Sequence, residues 1–548
     1  MSGLSCAARI KHALPDCELN VVTPVSLTAG APASGPAGER HAAELPDPEF
    51  LIAREIAILE AQNIMPDLAR QELVLGSSRG NLSIRYTDIV IEVPATVRIP
   101  RALQQAENVF PWPAYGFAAN AEALDAALSA AGEKKLPVVV TGNGPAALDA
   151  VFLVREAELP ALWLRTEEKG APAIDPHLLA LILKQLGPEV VCVPLPELAS
   201  GRLVCRLDNA GKRLEHISWP GGEAEVACCL WTSPLMARHP LLREDGVVLD
   251  AFGRIEAMEG AAAGLGLHLI GSGAAVPPAL LANGSATAPV YPGSRETASL
   301  GASLAVARLR DPERICREPF QGALGAHGAS TRGLEFHLAG LGAAEAQALG
   351  LEADLAVVSA SLDGDSSEAS RLVLTLVADK KSRTLLGLQV LGLGSRAASA
   401  KGVLGLGLAA LADGTSLETL MQRQWSGLPA RLLGQAAFIL ANKFDTVIQG
   451  ISPDEFLASR NAGAEFFTLD LRLPAQWEEG RLPGACNIPL AQLKKRLQDE
   501  VPRFTPLVLV CATGDESYAA AARLAGLGAT DLYVLDGGMD VWPYSLAT

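Results

Sequence analysis

The segment Val508-Leu509-Val510-Cys511-Ala512-Thr513-Gly514-Asp515-Glu516-Ser517 carries the clearest chemistry in the chain. An apolar run of strand type ends on a cysteine, a short polar loop with one glycine follows, and an alanine-rich helix is expected from Tyr518. A loop between a strand end and a helix start points backbone N–H groups inward, at the positive end of the helix dipole. A cysteine placed there tends to ionise, and the thiolate is the nucleophile. The pattern therefore predicts an anion cradle around a reactive sulfur, Cys511, followed by the stretch Ala512, Thr513, Gly514, Asp515, Glu516 and Ser517. The plainer alternative is that Cys511 is a buried small hydrophobe.

The elements that must position this loop are legible on both sides. Thr468-Leu469-Asp470-Leu471-Arg472 reads as a strand ending on a charged pair. Gly480 to Pro489 (GRLPGACNIP) reads as a turn into a second short strand, and Tyr533 to Gly538 (YVLDGG) as another strand and turn, with Trp542 after it. These motifs, in this order, resemble the rhodanese family over about the last hundred residues. The resemblance implies that Cys511 carries a persulfide on the loop 512–517. Asp470 and Arg472 would then be an ion pair that supports the loop. The family usually has arginine where this chain has Glu516, beside Asp515. Arginine would help hold an anionic donor, whereas two carboxylates repel thiosulfate and raise the cysteine pKa.

Composition bounds the rest. A chain of 548 residues, nearly half of them hydrophobic and 19% charged, can bury several cores and hold about three or four domains. The net charge of −16 argues against nucleic acid and anionic membranes as partners. Nine scattered cysteines with no C-x-x-C pair argue against a metal site and fit a reducing cytoplasm. The stretch 260–294 is nearly uncharged, but glycine, proline and serine interrupt it, so no membrane helix is expected.

Residues 1–10 read as a helix and Leu19-Asn20-Val21-Val22 as the strand after it, so the chain opens as if at the last part of a dinucleotide-binding turn, with Gly3 as its final glycine. A misplaced start or a lost first strand would account for that. Residues 48–63 are expected to be helical, 82–93 to alternate as strands, 103–113 to be irregular and 121–131 to be a helix. Leu136-Pro137-Val138-Val139-Val140 then runs into Thr141-Gly142-Asn143-Gly144-Pro145-Ala146-Ala147, a G-x-G-x-x-A turn into a helix, with Leu162-Trp163-Leu164 as the next strand. The glycines permit close approach of a pyrophosphate to the helix N-terminus. The residue expected to be acidic for ribose falls near Arg165, which would suit the 2′-phosphate of NADPH. A structural turn without ligand is the competing reading.

A strand at 268–270 ends in Gly271-Ser272, and Ser294 to Arg308 forms a helix lined with small residues. Strands at 372–377 and 385–392, the latter Leu385-Leu386-Gly387-Leu388-Gln389-Val390-Leu391-Gly392, precede helices at 403–412, 417–421 and 429–443. This order resembles the flavoprotein disulfide reductases of the pyridine nucleotide-disulfide oxidoreductase family, within them the coenzyme A-disulfide reductase and NADH oxidase group, some of which carry a C-terminal rhodanese domain. The implied fold is α/β. It comprises an FAD-type Rossmann-like domain (1–130, returning at 256–318), an NAD(P)-type Rossmann-like domain (131–255), an α+β dimerisation domain (319–447) and a rhodanese domain (448–548). FAD and NAD(P) are the implied cofactors, at Gly3, Gly271 and Ser272 and at Gly142, Gly144, Ala147 and Arg165, and a homodimer the implied assembly. Several signature positions differ. The place of the redox cysteine holds Val25 to Pro32 without a cysteine, the flavin aspartate corresponds to Ser272, and the A-T-G turn to Glu92-Val93-Pro94. The expectation is a cytoplasmic sulfur-handling protein in which Cys511 passes sulfane sulfur to a small or protein thiol. The alternatives are a persulfide or polysulfide sensor on a reductase-derived body, and an NAD(P)H-dependent FAD oxidoreductase acting on CoA-disulfide, persulfide or polysulfide.

Overall fold

The computed structural model describes residues 2–23, 56–60, 63–67, 70–77, 80–93, 95–112, 118–166, 172–195, 203–232, 235–237, 247–249, 255–258, 267–271, 274, 280–281, 284, 286–287, 295–310, 322–363, 370–502 and 505–547. Ser272 and the stretch 25–32 lie outside the described residues. Two compact units are formed, one of residues 1–172, 189–278 and 290–327, the other of residues 173–188, 279–289 and 328–548.

In the first unit, helix Ser2–Ala13, which contains Gly3, packs on helix Arg295–Arg310. Cys6, Ile10, Ile270, Ala302 and Ala305 form the core between them. Small residues on the second helix allow this close approach. Strand Asn20–Thr23 pairs in parallel with Ala57–Glu60, and Ile89–Glu92 in parallel with Leu267–Ile270. The helix expected over 48–63 is thus corrected: 57–60 is a strand, and 63–67 opens an antiparallel three-stranded ribbon running to Arg85. The Ala, Glu and Leu content of 53–61 favours helix locally, and the parallel partner at Asn20–Thr23 overrides it.

A five-stranded parallel sheet follows in the same unit, in the order Val190–Leu195, Ala161–Thr166, Val138–Thr141, Cys229–Trp231, Val109–Pro111. The expectation of irregular chain over 103–113 is therefore also corrected, because 109–111 is the edge strand. Its apolar run is too short to show a period, and its pairing with 229–231 is non-local. Val138, Val139 and Val140 are fully buried, as a strand covered on both faces requires. Asn108 locks this sheet to the neighbouring ribbon. Its amide donates to the carbonyls of Leu214 (2.9 Å) and Ala227 (3.2 Å), and its Oδ1 accepts from the Leu214 N–H (2.8 Å).

The second unit holds two sheets. The first is antiparallel, ordered His327–Thr331, Leu334–Gly340, Leu385–Leu393, Arg371–Asp379, Ala353–Ser361. Helices Ala400–Ala412 and Leu428–Asp445 pack against it. The second sheet is parallel, ordered Ile448–Ile451, Leu532–Leu535, Leu507–Val510, Phe467–Asp470, Cys486–Asn487. Ser452 caps helix Pro453–Asn461 in a reciprocal box with Glu455. Helix Asp515–Gly526 packs on the second sheet and against the long helix Leu428–Asp445. Among the described residues no helix is long and apolar enough to cross a membrane, and no group of His, Cys, Asp and Glu side chains is arranged to hold a metal.

Replacing Asn108 by alanine removes three buried hydrogen bonds and strands their backbone partners, which costs about 2–4 kcal/mol. Urea denaturation of Asn108→Ala is expected to show the first unit melting earlier, with the transition of the second unit unmoved.

Candidate active site

Cys511 lies immediately after the central strand Leu507–Val510, fully buried. Its Sγ accepts a hydrogen bond from the Gly514 N–H at 3.1 Å. Ser517 faces the sulfur with its N–H and its hydroxyl, and that hydroxyl, itself fully buried, has hydrogen-bonding capacity to spare. Gly514 stands at the N-cap with φ +95°, a conformation that side chains resist, and a Cβ there would press on Gly537 at 3.2 Å. The helix begins at Asp515 rather than at Tyr518. Asp515, Glu516 and Ser517 thus occupy its first turn instead of a loop, a correction that follows from acidic residues favouring the N-terminus of the helix dipole.

The electrostatics run against the expected thiolate. Burial pushes the Cys511 thiol up to about 11, ahead of the opposing pull of Ser517 and Gly514, and Asp515 pushes in the same direction as burial. Thr513 donates its hydroxyl to Asp515 Oδ1 at 2.5 Å, and the Glu516 N–H donates to the same oxygen at 2.9 Å. Gln435, from the long helix, approaches Asp515 Oδ2 at 3.4 Å. Glu516 is exposed, and its carboxyl is raised by partial burial and by Asp515.

Asp470 is fully buried, and its carboxylate is engaged entirely by Arg472, through the backbone N–H (2.9 Å), Nε (3.1 Å) and Nη2 (2.8 Å). Arg472 also donates to the Gly480 carbonyl at 2.7 Å. Asn487 ties the same segment by donating to the carbonyls of Asp470 and Arg472. The Leu471 N–H donates to the Val510 carbonyl, which fixes this pair beside the strand that ends on Cys511.

The turn expected at the end of Tyr533 to Gly538 is present, and what the sequence did not show is that it closes over the loop. Met539 and Asp540 donate their N–H groups to the carbonyls of Cys511 and Ala512, both at 2.9 Å. Gly538, at φ +67°, approaches so closely that a Cβ would lie 2.5 Å from the Cys511 carbonyl. Asp536, one residue before the glycine pair, accepts from the Tyr518 hydroxyl at 2.7 Å. The Asp-Gly-Gly at a strand end was the available signal, but its partner Tyr518 stands in a run of alanines that gives no hint of a buried hydroxyl.

Residues 452–543 match the rhodanese-like domain family. The thiosulfate sulfurtransferase GlpE of Pseudomonas syringae pv. syringae is 33% identical over 97 residues, which span 18% of this chain and 89% of that protein. The chain belongs to the rhodanese family. Solved structures extend the likeness beyond the rhodanese domain. The NAD-dependent persulfide reductase of A. fulgidus superposes with TM-score 0.76 at 19% identity, covering 99% of this chain and 98% of that one. Reduced CoADR-RHD of Bacillus anthracis superposes with TM-score 0.74 at 17% identity, covering 99% and 96%. The part before the rhodanese domain therefore has the fold of the pyridine nucleotide-disulfide oxidoreductases.

That fold implies FAD and NAD(P), and the residues of the first unit can be tested against them. Gly142 (φ +122°) and Gly144 (φ +71°) form a tight turn into helix Gly144–Glu156, with Ala147 fully buried. The Gly142 carbonyl is occupied by the Trp163 indole N–H at 3.0 Å. Above Gly144, where a pyrophosphate would approach, stands the Pro172 carbonyl, 2.4 Å from where a Cβ would be. A carbonyl presents another acceptor where an anion needs donors. Arg165 is half-buried on strand Ala161–Thr166. Gly271 (φ +101°) is likewise packed on the chain itself, 2.7 Å from its would-be Cβ to the Val93 carbonyl. In this arrangement the turn does not fit a dinucleotide.

Two outcomes follow. Alkylation of native Cys511 by iodoacetamide, read at its peptide by mass spectrometry, should rise about tenfold per pH unit from pH 7 to 10. It should level off only near pH 11, in step with the raised thiol. Titration with NADH or NADPH should leave the fluorescence of Trp163 unquenched; saturable quenching would mean that the Pro172 segment moves aside.

Proposed function

We propose that the protein is a sulfur carrier of rhodanese type, in which Cys511 takes sulfane sulfur from a persulfide and passes it to a thiol. The observation that carries this reading is the Gly514 N–H donated to Cys511 Sγ at 3.1 Å, at the head of a helix and beside the spare Ser517 hydroxyl. In the loading step the Cys511 thiolate attacks the outer sulfur of R–S–S⁻. The new Sγ–S bond forms, the donor's own S–S bond breaks, and RS⁻ leaves with its electron pair and takes up a proton. In the unloading step an acceptor thiolate attacks the outer sulfur of the Cys511 persulfide, and Sγ departs as thiolate. Neither step consumes an oxidant or a reductant. Loop N–H groups hold the anion throughout.

The donor class follows from charge. Asp515 and Glu516 stand at the head of the loop, where they repel a dianion such as thiosulfate. A persulfide on a small or protein thiol brings less charge to that point. A homodimer fits the second unit, because Leu406, Met421 and Phe438 leave apolar surface exposed on its helices.

A second reading has one observation in its favour. A fully buried sulfur with a thiol raised to about 11 suits capture of a persulfide without turnover, as in a sensor. A reductase acting on persulfide or CoA-disulfide is the third reading. Its support is the likeness in fold to solved structures named for such activity, and the turn at Gly144 stands against it.

The test compares transfer from glutathione persulfide to a monothiol by wild type, Cys511→Ser and Glu516→Arg. The serine variant is expected to lose transfer altogether, and equal rates for the two proteins would sink the carrier reading. Glu516→Arg is expected to raise kcat/KM for thiosulfate by about fivefold to tenfold while leaving the persulfide reaction nearly unchanged.

A further inference from the structure

Two cations outside the rhodanese match reach the turn that closes over Cys511. Lys443, on the long helix Leu428–Asp445, has a side chain only 2% exposed. Its Nζ donates to the Leu355 carbonyl at 2.7 Å and stands 3.4 Å from Asp536 Oδ1 and 3.6 Å from Asp354. It also lies over the Tyr518 ring, 5.6 Å from the centroid. Gly450 makes room for the pair, since a Cβ there would sit 2.3 Å from both Nζ and Asp536 Oδ2. Arg371, on strand Arg371–Asp379, donates to the Asp540 carbonyl at 3.0 Å and pairs with its carboxylate at 3.4 Å, while Ser359 donates to the same carboxylate at 3.1 Å. Asp536 and Asp540 bracket Gly537-Gly538-Met539, and the N–H groups of Met539 and of Asp540 itself hold the Cys511 and Ala512 carbonyls.

We propose that Lys443 and Arg371 are positioning residues for the sulfur-carrying loop: by pairing with Asp536 and Asp540 they pin both ends of the glycine turn that fixes the backbone of Cys511 and Ala512. Asp536 is the sensitive member. Its carboxylate meets Lys443 from the long helix, Tyr518 from the cysteine helix, Asp354 from strand Ala353–Ser361 and His177 from helix Pro176–Leu186. Burial raises its pKa, and Lys443 and Tyr518 pull it back down. Tyr518 stands about one helical turn after Asp515, so Asp536 links the glycine turn to the helix whose N-cap, Gly514, donates its N–H to the sulfur. Neither cation belongs to the residues 452–543 that match the family, so the oxidoreductase-like part of the chain supplies them.

The inference rests on Cys511 being the sulfur carrier, and its test separates the two. In full-length Lys443→Met, Asp536 loses its counter-charge and its pKa rises further. Its neutral form is then tolerated at low pH, and its buried charge disturbs the turn as pH rises. Transfer from glutathione persulfide should fall on the order of tenfold to a hundredfold at pH 8, and the ratio to wild type should close toward pH 5. The double variant Lys443→Met/Asp536→Asn, which keeps an acceptor for Tyr518, should recover to within about threefold at every pH. A pH-independent loss that the double variant does not recover, or an unchanged rate at pH 8, overturns the proposal. Cys511 alkylation is read in parallel. If wild type transfers no sulfur, the carrier reading fails, while the pH-dependent alkylation ratio between Lys443→Met and wild type still decides the positioning role. Should Lys443→Met not fold, the half-exposed pair decides by rescue: Arg371→Met should slow alkylation and transfer, and Arg371→Met/Asp540→Asn should restore them.

Discussion

Burial of the Cys511 sulfur is the constraint to which the rest of the C-terminal site answers. A sulfur at the closed end of a parallel sheet is removed from water, so any charge it carries must be met by oriented groups of the chain. The Gly514 N–H reaches it at 3.1 Å, and Ser517 faces it with its N–H and hydroxyl. That is enough to receive an anion but not enough to generate one, and burial keeps the resting thiol near 11. Attachment of a sulfane sulfur changes the balance. The charge moves to the outer atom, about 2 Å farther along a new S–S bond. There, on the proposed carrier reading, it would stand nearer the head of the helix that begins at Asp515. On that reading, the site would suit holding a persulfide better than launching the attack that forms it.

Donors aimed at one sulfur work only if the backbone that carries them is held still. Here the holding is done from the far side of the loop, by hydrogen bonds from Met539 and Asp540 to the Cys511 and Ala512 carbonyls. Two consecutive glycines at positive φ allow that approach, and side chains at either place would collide with the loop or with Val541. Such a turn has little rigidity of its own. Its stiffness comes from the aspartates at its ends and the groups that bind them.

The sequence was a good guide wherever the signal was local. The apolar strand ending on Cys511, the small loop and the alanine-rich helix lie within twenty positions, and each carries its own period or turn residue. The ion pair of Asp470 with Arg472 was readable for the same reason, two residues apart on one strand end. What was not readable depends on distant partners. Residues 57–60 look helical until Asn20–Thr23 lies beside them, and 109–111 look irregular until 229–231 does. Lys443 reads as an ordinary solvent-facing lysine at the end of a helix, and only the fold brings Asp536 and Tyr518 to it. The sulfur's ionisation was misjudged on the same ground: dipole and loop are local features, whereas desolvation is a property of everything packed around Cys511.

The glycine turn at 142–144 and the pair Lys443–Asp536 answer to two different physical demands. The turn keeps its positive φ angles and its place between strand and helix because the tight connection needs them, whatever binds above. Once the Pro172 carbonyl lies over Gly144, that geometry is explained by packing alone. The opposite holds for Lys443. A buried lysine amid Asp536, Asp354 and the Tyr518 ring is costly to keep and gains little net stability over an apolar residue of like size. Packing therefore does not account for it, whereas a need to fix one turn in one position does.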